Sequence, residues 1–288
     1  MKLSLIIPTY NERENIQKLL LALEDNLSRS KINSEIIVVD DNSPDGTGRV
    51  LEELKTKYQN LQVIHRKGKL GLSSAVIEGF KIAQGEILGV MDADLSHPSE
   101  KISEMYQAMK NADLVIGSRY VKNGRIEGWN LYRKILSRGA TFLARVFVNI
   151  KDPMSGFFMI RRNLVANEEI NSKGFKILLE LLIKTNCKNV IEIPITFINR
   201  TEGKSKAGIK EIVFFLKNLI GYLPYKKEVF LQFLKFALVG LTGTFINLII
   251  LYVLTEYFGI YYMVSAIIAI GTTLITNFIG NKIWTFHK

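Results

Sequence analysis

The first part of the chain alternates between short apolar runs and stripes of apolar residues at helical spacing. The apolar runs typical of buried strands cover residues 3–7, 36–39, 63–64, 87–91 and 114–116. The stripes between them comprise Ile16, Leu19, Leu20, Leu23 and Leu27, then Val50, Leu51 and Leu54, and then Ile102, Met105, Tyr106 and Met109. Such alternation predicts a Rossmann-like α/β fold, with a mostly parallel sheet and flanking helices.

The last part of the chain has a different pattern, in which two long segments carry no charge. Residues 236–255 and 257–281 contain no Lys, Arg, Asp or Glu. A helix needs about 20 apolar residues to cross the hydrocarbon core of a bilayer, so each segment is long enough. We therefore predict an all-α transmembrane hairpin, and the alternative is a pair of buried helices in a soluble protein.

Positive charge flanks the outer ends of this hairpin. The flanking cations are Lys226, Lys227 and Lys235 before the first segment, and Lys282 and Lys288 after the second. The turn at 257–262 has no Lys or Arg. By the positive-inside rule, both outer ends face the cytoplasm, which predicts a two-span membrane protein with its N-terminal part on the cytoplasmic side.

Composition narrows the candidate partners. The 288-residue chain carries a formal net charge of +11, most of it within residues 1–228. A basic domain beside a bilayer suits membrane lipids and phosphorylated substrates. We predict no nucleic-acid partner, because no basic run with interleaved aromatic residues is present. The single cysteine, Cys187, excludes an intrachain disulfide and a cysteine-built zinc site.

Polar and acidic residues follow three of the predicted strands. These are Pro8-Thr-Tyr-Asn-Glu12, Asp40-Asp41 and Asp92-Ala-Asp94. Ligands of open α/β sheets bind beyond the carboxyl ends of the strands, and clustered carboxylates suit a hard divalent ion. Neither GxGxxG nor GxxxxGK[ST] occurs in the chain, which argues against dehydrogenases and P-loop enzymes. The alternative for Asp40 and Asp41 is that they only cap a turn before Thr47.

These motifs resemble those of family 2 glycosyltransferases, which have the GT-A fold. The resemblance rests on Ile6-Ile-Pro-Thr-Tyr-Asn-Glu12, Val38-Val-Asp-Asp41 and Met91-Asp-Ala-Asp94. Residues 71–75, 117–119, 132–134, 152–157, 174–180 and 200–206 resemble the polyprenyl-phosphate branch, typified by the dolichol-phosphate mannose synthases. Residues 277–286 are similar to part of a GtrA-like membrane domain.

The resemblance implies a membrane-bound inverting enzyme that transfers a hexose, mannose from GDP-mannose, to a polyprenyl or dolichyl phosphate. It implies Mg²⁺ or Mn²⁺ held by Asp92, Asp94 and Ser96. It implies a nucleotide-sugar site formed by Pro8, Tyr10, Glu12, Val39, Asp41, Asp92, Ala93, Arg200 and Lys206. It also implies Asp94, Arg119 and Arg133 as catalytic residues, and an acceptor-phosphate site formed by Arg119, Arg133 and Ser137.

The chemistry of the acceptor agrees with this set of residues. A phosphate monoester has a second pKa of about 6, so it is already a nucleophile at neutral pH and needs no catalytic base. Two anions must nevertheless be held together, and arginines fork onto phosphate oxygens.

The chain departs from the family pattern at two places. Ser96 stands where the family usually has glutamine, which leaves the metal preference open. GtrA-like domains commonly have four spans, whereas two are predicted here, so either two chains pair as a homo-oligomer or the anchor is reduced. The alternatives for function are a UDP-glucose-dependent polyprenyl-phosphate glucosyltransferase and a non-catalytic scaffold or flippase component for lipid-linked sugars.

We predict three parts along the chain: a cytoplasmic GT-A domain at 1–205, amphipathic interfacial helices and linker at 206–230, and a two-helix GtrA-like domain at 231–288. The interfacial helix rests on a stripe formed by Ile209, Ile212, Val213, Leu216 and Ile220. The alternative for this stripe is packing in the core.

Overall fold

The fold is taken from a computed structural model of the chain. The structure describes residues 1–166, 168, 170, 177–199 and 209–286, with side chains at all of these except 209–213, 227 and 229. The chain divides into two compact units, Met1–Tyr222 and Leu223–Lys288.

The strands and helices follow one another in the order expected of an α/β unit with a helical C-terminal part. The strands are β1 (Leu3–Thr9), β2 (Ser34–Asp40), β3 (Leu61–His65), β4 (Ile87–Val90), β5 (Leu114–Ser118), β6 (Arg125–Glu127), β7 (Phe158–Arg161), β8 (Val190–Pro194) and β9 (Thr196–Ile198). The helices of the first unit are α1 (Arg13–Arg29), α2 (Thr47–Lys57), α3 (Leu72–Ile82), α4 (Lys101–Ala108), α5 (Leu131–Arg145), α6 (Arg162–Val165), α7 (Ile177–Lys184) and α8 (Ile209–Tyr222).

Seven strands form the central sheet, in the order β3-β2-β1-β4-β7-β5-β8. Strands β1, β2, β3 and β4 run parallel to one another, β5 is parallel to β8, and β7 is antiparallel to both of its neighbours, β4 and β5. The prediction of a mostly parallel sheet with flanking helices is confirmed. A separate parallel pair, β6 with β9, lies outside this sheet.

Both faces of the central sheet are covered. Along β1, Leu3, Leu5 and Ile7 pack into one apolar core with α1, α2 and α4, whereas Ile6 packs into a second core with α3 and α7. A strand buried on both faces has no polar alternation, which is why β1 and β2 are continuous apolar runs in the sequence.

The second unit contains two long helices. Helix α9 (Lys227–Tyr252) and α10 (Tyr262–Gly280) each end in a π-helical turn, at Val253–Tyr257 and Asn281–Thr285. The apolar segments Phe230–Tyr257 and Tyr262–Thr285 are each long enough to span a membrane.

The two long helices pack closely where α9 has a glycine. A Cβ atom at Gly243 would overlap the side-chain amide of Asn277 on α10, so no larger residue fits there without a shift. Small residues of this kind let transmembrane helices approach each other.

The amphipathic stripe predicted around residues 209–220 falls on α8. Phe214, Leu216 and Ile220 are exposed on this helix, whereas Leu219 and Tyr222 are buried. Helix α8 therefore presents apolar side chains on two sides. That it lies at a membrane surface stays a prediction.

Candidate active site

The strand order brings the predicted acidic residues to one edge of the sheet. Strands β2, β1 and β4 are neighbours, with Thr9 opposite Asp40 and Ile6 opposite Val90. The segments that follow these strands are therefore adjacent. We call residues 8–12, 40–41 and 92–96 the acidic edge.

Asp41 in the acidic edge binds a loop. Its carboxylate accepts hydrogen bonds from the Arg66 guanidinium at 2.6 Å and from the backbone amides of Leu70 and Gly71 at 3.0 and 2.8 Å. Asp41 and Arg66 are both buried. Asp41 thus fixes the loop 66–71 beside the predicted nucleotide site.

The same loop places a cation on an aromatic ring of the acidic edge. The ammonium of Lys69 lies 4.0 Å from the ring centroid of Tyr10. Lys69 was not among the predicted site residues, because a lone lysine in a loop gives no signal in the sequence. Its contact makes it a further candidate for binding the phosphates of a nucleotide.

Asp40 caps the turn before Thr47, which was the alternative interpretation of this residue. Its carboxylate accepts hydrogen bonds from the backbone amide of Ser43 at 3.2 Å and from the Ser43 hydroxyl. Pro8 and Val39 lie opposite each other in the β1–β2 register and are buried. Glu12 accepts a hydrogen bond from the Asn15 side chain at 2.9 Å.

The predicted metal ligands lie in a turn with unusual backbone geometry. Leu95 has a φ of 60°, a left-handed conformation that is rare for a bulky residue and is often found at functional sites. The turn lets the backbone amide of Ser96 donate to Asp94 Oδ1 at 3.1 Å, and the Ser96 hydroxyl donates to the same oxygen. Asp94 and Ser96 are buried, and Asp92 is partly exposed.

The oxygen atoms of Asp92, Asp94 and Ser96 fit a hard divalent ion, most of whose ligands would come from substrate and water. Among the described residues, no group of three or more His, Cys, Asp or Glu side chains could hold a metal. Mg²⁺ is often bound by one or two carboxylates together with substrate phosphates, and Asp92 and Asp94 provide that number. Because the Ser96 hydroxyl already donates to Asp94, it orients that carboxylate.

Gly156 allows close approach to Asp92. A Cβ atom at Gly156 would lie 2.9 Å from Asp92 Oδ2 and 3.3 Å from His97 Cε1. The backbone amide of Asp92 also donates to His97 Nδ1 at 3.3 Å. Asp92 is therefore positioned by buried His97 from one side and by the backbone at Gly156 from another.

Arg119 forms a buried ion pair. Its Nε and Nη2 atoms donate to the two carboxylate oxygens of Asp152 at 2.8 Å each, and its backbone amide donates to Asp152 Oδ2 at 2.9 Å. Burial disfavours the charged guanidinium, but the carboxylate of Asp152 outweighs burial and raises the pKa of Arg119, with a smaller contribution from Asp92. Arg119 is thus permanently charged and lies within electrostatic range of Asp92.

Arg133, on the first turn of α5, lies over an aromatic ring. Its guanidinium carbon is 4.1 Å from the ring centroid of Trp129, and Nη1 donates to Asn199 Oδ1 at 2.9 Å. The Arg119 guanidinium carbon lies 5.8 Å from the same Trp129 ring. One indole therefore contacts both predicted acceptor-binding arginines. We call Arg119, Arg133, Trp129, Phe197 and Asn199 the arginine cluster.

Phe197 connects the arginine cluster to the acidic edge. Its ring lies 5.4 Å from the Trp129 ring and 5.3 Å from the imidazole of His97, which contacts Asp92. The predicted metal ligands and the predicted acceptor arginines are thus joined by a continuous set of contacts. Ser137 accepts a hydrogen bond from the Tyr120 hydroxyl at 2.8 Å.

Several of these residues were not predicted from the sequence. Asp152 and Gly156 lie in a motif that carries the resemblance, but no role was given to them. Trp129, Phe197 and Asn199 belong to the short strands β6 and β9 or adjoin them, and give no periodic signal. Two predicted nucleotide-binding residues, Arg200 and Lys206, lie outside the described residues.

Comparison with protein families identifies the two parts of the chain. The model "Glycosyl transferase family 2" matches residues 4–167, more than half of the chain. The chain belongs to glycosyltransferase family 2. The model "GtrA/DPMS, transmembrane domain" matches residues 235–288 of this glycosyltransferase, which is accordingly a membrane protein.

One relative matches this glycosyltransferase along almost its whole length. The dolichol-phosphate mannosyltransferase of Pyrococcus furiosus is 44% identical, over 99% of this chain and 81% of its own. The predicted family, its polyprenyl-phosphate branch and the GtrA-like membrane domain are confirmed.

Solved structures confirm the GT-A fold of the glycosyltransferase. S. aureus TarS (1-349) in complex with UDP-GlcNAc has a TM-score of 0.57 at 20% identity, over 97% of this chain and 92% of that one. Glucosyl-3-phosphoglycerate synthase from Mycobacterium tuberculosis, in complex with Mn²⁺, UDP-glucose and phosphoglyceric acid, has a TM-score of 0.54 at 16% identity, over 78% and 79%.

Proposed function

We propose that this glycosyltransferase transfers mannose from GDP-mannose to the phosphate of a polyprenyl or dolichyl lipid, with inversion at the sugar carbon. The observation that carries the proposal is the contact chain from Asp92 through His97 and Phe197 to Trp129 and the two arginines. This chain of contacts supports a diphosphate site and a phosphate site that adjoin each other. The dolichol-phosphate mannosyltransferase name of the Pyrococcus furiosus relative supports the choice of sugar and lipid.

On the donor side, the acidic edge binds the nucleotide sugar. Asp41 fixes the loop that holds Lys69 over Tyr10, where a nucleotide would lie against the sheet edge. Asp92 and Asp94, oriented by Gly156, His97 and Ser96, would hold Mg²⁺ or Mn²⁺. When bound, the ion would stabilise the charge that develops on the departing diphosphate.

On the acceptor side, the arginine cluster binds the lipid phosphate. The guanidinium of Arg133 lies over the Trp129 ring and donates to Asn199 Oδ1, and the buried guanidinium of Arg119 donates to both carboxylate oxygens of Asp152. We assign direct phosphate contact to Arg133, because Asp152 already takes two donor atoms of Arg119. Arg119 adds a fixed positive charge beside it, and Ser137 offers a hydroxyl on the same helix.

The reaction balances without a catalytic base. An oxygen of the dianionic lipid phosphate forms a bond to the anomeric carbon, while the bond from that carbon to the diphosphate oxygen breaks. The electron pair leaves with GDP, and no proton changes place.

The catalytic unit is proposed to lie on the cytoplasmic side. Lys226 and Lys235 flank the start of the first span, and no Lys or Arg lies in the turn between the spans. Labelling of Lys18 and other exposed lysines in sealed, inside-out membrane vesicles tests this. Labelling that needs detergent would contradict it.

The activity is tested by incubating detergent-solubilised full chain with a short polyprenyl phosphate, Mg²⁺ or Mn²⁺, and radiolabelled GDP-mannose, UDP-glucose or UDP-GlcNAc. We expect label in the organic phase with GDP-mannose and none after chelation of the metal. Transfer from UDP-glucose alone would overturn the choice of donor. Absence of transfer from every donor would favour a non-catalytic role.

A further inference from the structure

Helix α5 borders a cavity that neither Arg119 nor Arg133 lines. The cavity has a volume of about 370 Å³ and lies between α5 and the segment that precedes β7. The residues that line it are Tyr120, Arg138, Thr141, Phe142, Arg145 and Lys151. None of them is a predicted site residue, but the cavity adjoins the predicted acceptor site, because the Tyr120 hydroxyl donates to Ser137 at 2.8 Å and the Tyr120 ring lies 5.3 Å from the Arg119 guanidinium carbon.

A buried hydroxyl in this cavity has no hydrogen-bond partner. Thr141 is only 6% exposed, and its Oγ1 neither donates nor accepts a hydrogen bond. In α9 and α10, by contrast, the hydroxyls of Thr244, Thr272 and Thr273 donate to the carbonyl oxygen four residues earlier. A buried polar group without a partner is unfavourable, and a polar ligand in the cavity would remove that cost.

The cations of the cavity are not neutralised by ion pairs. In the ranges that the structure describes, no carboxylate lies within ion-pair distance of Arg138, Arg145 or Lys151. The carboxylate of Glu192 lies beside the cavity, where it accepts hydrogen bonds from the backbone amides of Lys151 and Asp152 at 2.9 Å each. One carboxylate against three cations leaves the cavity positive, which favours an anion.

The type of anion follows from the donors and from the surface around them. Two guanidinium groups and a hydroxyl match the several oxygens of a phosphate. The same helix also exposes large apolar side chains, among them Leu131, Ile135 and Phe142. A phosphate that carries acyl chains would satisfy both the cations and this apolar surface.

We propose that this cavity binds a phosphate group at a site distinct from that of the acceptor, either the headgroup phosphate of an anionic membrane lipid or the phosphate of a soluble ester. Arg138 and Arg145 bind its oxygens, and the Thr141 hydroxyl donates to it. The proposal does not depend on which sugar is transferred.

The test is a binding experiment on the full chain in detergent micelles. A short-chain phosphatidylglycerol with a fluorescent acyl group is titrated by anisotropy, both without polyprenyl phosphate and with polyprenyl phosphate at saturation. The variants are Arg138→Gln with Arg145→Gln, Thr141→Val, and Thr141→Ser. Arg162→Gln, which removes an exposed arginine from α6, is the matched control.

We expect the double arginine variant to raise the dissociation constant about tenfold or more, since two charge-assisted contacts are lost. Thr141→Val should raise it about threefold and Thr141→Ser should restore it, because only the hydroxyl differs. Arg162→Gln should bind as the wild type does. Thr141→Val should also leave the thermal unfolding midpoint without ligand unchanged or higher, since it removes an unpartnered hydroxyl.

Two results would overturn the proposal. Displacement of the probe by polyprenyl phosphate would make the cavity part of the acceptor site, and equal binding by the double variant would remove its role altogether. Inorganic phosphate separates the two sources: competition with the probe supports a soluble ester, and lack of competition supports a lipid headgroup. Sugar transfer is measured on the same variants. Probe binding then tests the cavity, and sugar transfer tests the proposed function, so failure of one can be told from failure of the other.

Discussion

The acidic edge and the arginine cluster are held in place in different ways. The acidic edge follows strands that are buried on both faces, and backbone amides fix its carboxylates, as Leu70 and Gly71 do for Asp41. The arginine cluster depends on side chains, with the Trp129 ring near two guanidinium groups and Asn199 bound to Arg133. The sheet therefore determines donor geometry, whereas acceptor geometry depends on a few individual contacts.

The largest effect is expected at the acidic edge. Asp94→Asn removes a carboxylate charge at the candidate metal site, and transfer should fall about 10³-fold because the leaving diphosphate loses its stabilisation. Donor hydrolysis should fall with it. Initial rates of both reactions, measured over a range of Mn²⁺ concentrations, test this. Unchanged transfer would show that Asp94 holds no metal.

The next effect separates the two regions. Arg133→Gln should lower kcat/KM for polyprenyl phosphate about 100-fold, because one charged donor to the phosphate is lost. Binding of GDP, measured by calorimetry, should stay as in the wild type. The matched control is Arg162→Gln, an exposed arginine on α6. Equal losses of GDP binding and transfer would contradict the division between donor and acceptor sides.

A smaller effect is expected where the backbone approaches Asp92. Gly156→Ala should lower transfer about 30-fold and raise the metal concentration needed for half-maximal rate, because the added methyl group displaces Asp92. Gly221→Ala, at a helical glycine with open space around it, is the control and should have no effect. A normal metal dependence in Gly156→Ala would remove this glycine from the site.

Trp129 tests how far the arginine cluster depends on its aromatic ring. Trp129→Leu should raise KM for polyprenyl phosphate about fivefold, the equivalent of about 1 kcal/mol of cation–π interaction. Trp129→Phe should restore most of that loss, and KM for the donor should stay constant in both. An equal rise in KM for Trp129→Leu and Trp129→Phe would indicate that Trp129 acts by packing and not by a cation–π interaction.

The smallest effect concerns the stability of the sheet under the acidic edge. Burial would raise the pKa of Glu35, but hydrogen bonds from Ser4, Gln84 and Lys2 outweigh it and lower the pKa from its ordinary 4.5. The resulting stabilisation is present above pH 4.5 and is lost as the pH falls through the lower folded value.

Glu35→Gln should therefore lower the thermal unfolding midpoint at neutral pH. The difference from the wild type should shrink as the pH falls below 4.5 and through the lowered pKa of folded Glu35, where the wild-type carboxylate becomes as neutral as the glutamine. A difference that stays constant over this pH range would show that the charge of Glu35 is not responsible.

The two regions also differ in how far the sequence predicts them. The acidic edge was predicted because β1, β2 and β4 are continuous apolar runs that end in polar residues. The sequence does not predict that Asp41 anchors a loop, because its partners Arg66 and Leu70 lie a strand and a turn away. The antiparallel β7, only four residues long, also gave too short a pattern.

The arginine cluster was predicted only in part. Arg119 and Arg133 came from motifs, but a pattern of residue types does not show that Asp152 pairs with Arg119 or that one indole contacts both arginines. Those contacts join side chains far apart in the sequence, 33 residues for Arg119 and Asp152 and 66 residues for Arg133 and Asn199. The cavity beside Thr141 is invisible in the sequence for the same reason.

The central claim is that metal ligand and acceptor arginine act on one transition state. A double-mutant cycle with Asp94→Asn and Arg133→Gln, measured as kcat/KM for transfer, tests it most directly. The account predicts that the double variant loses clearly less than the product of the two single losses, since both residues serve one step. A loss equal to that product would mean that the two residues act independently, and it would contradict a shared site.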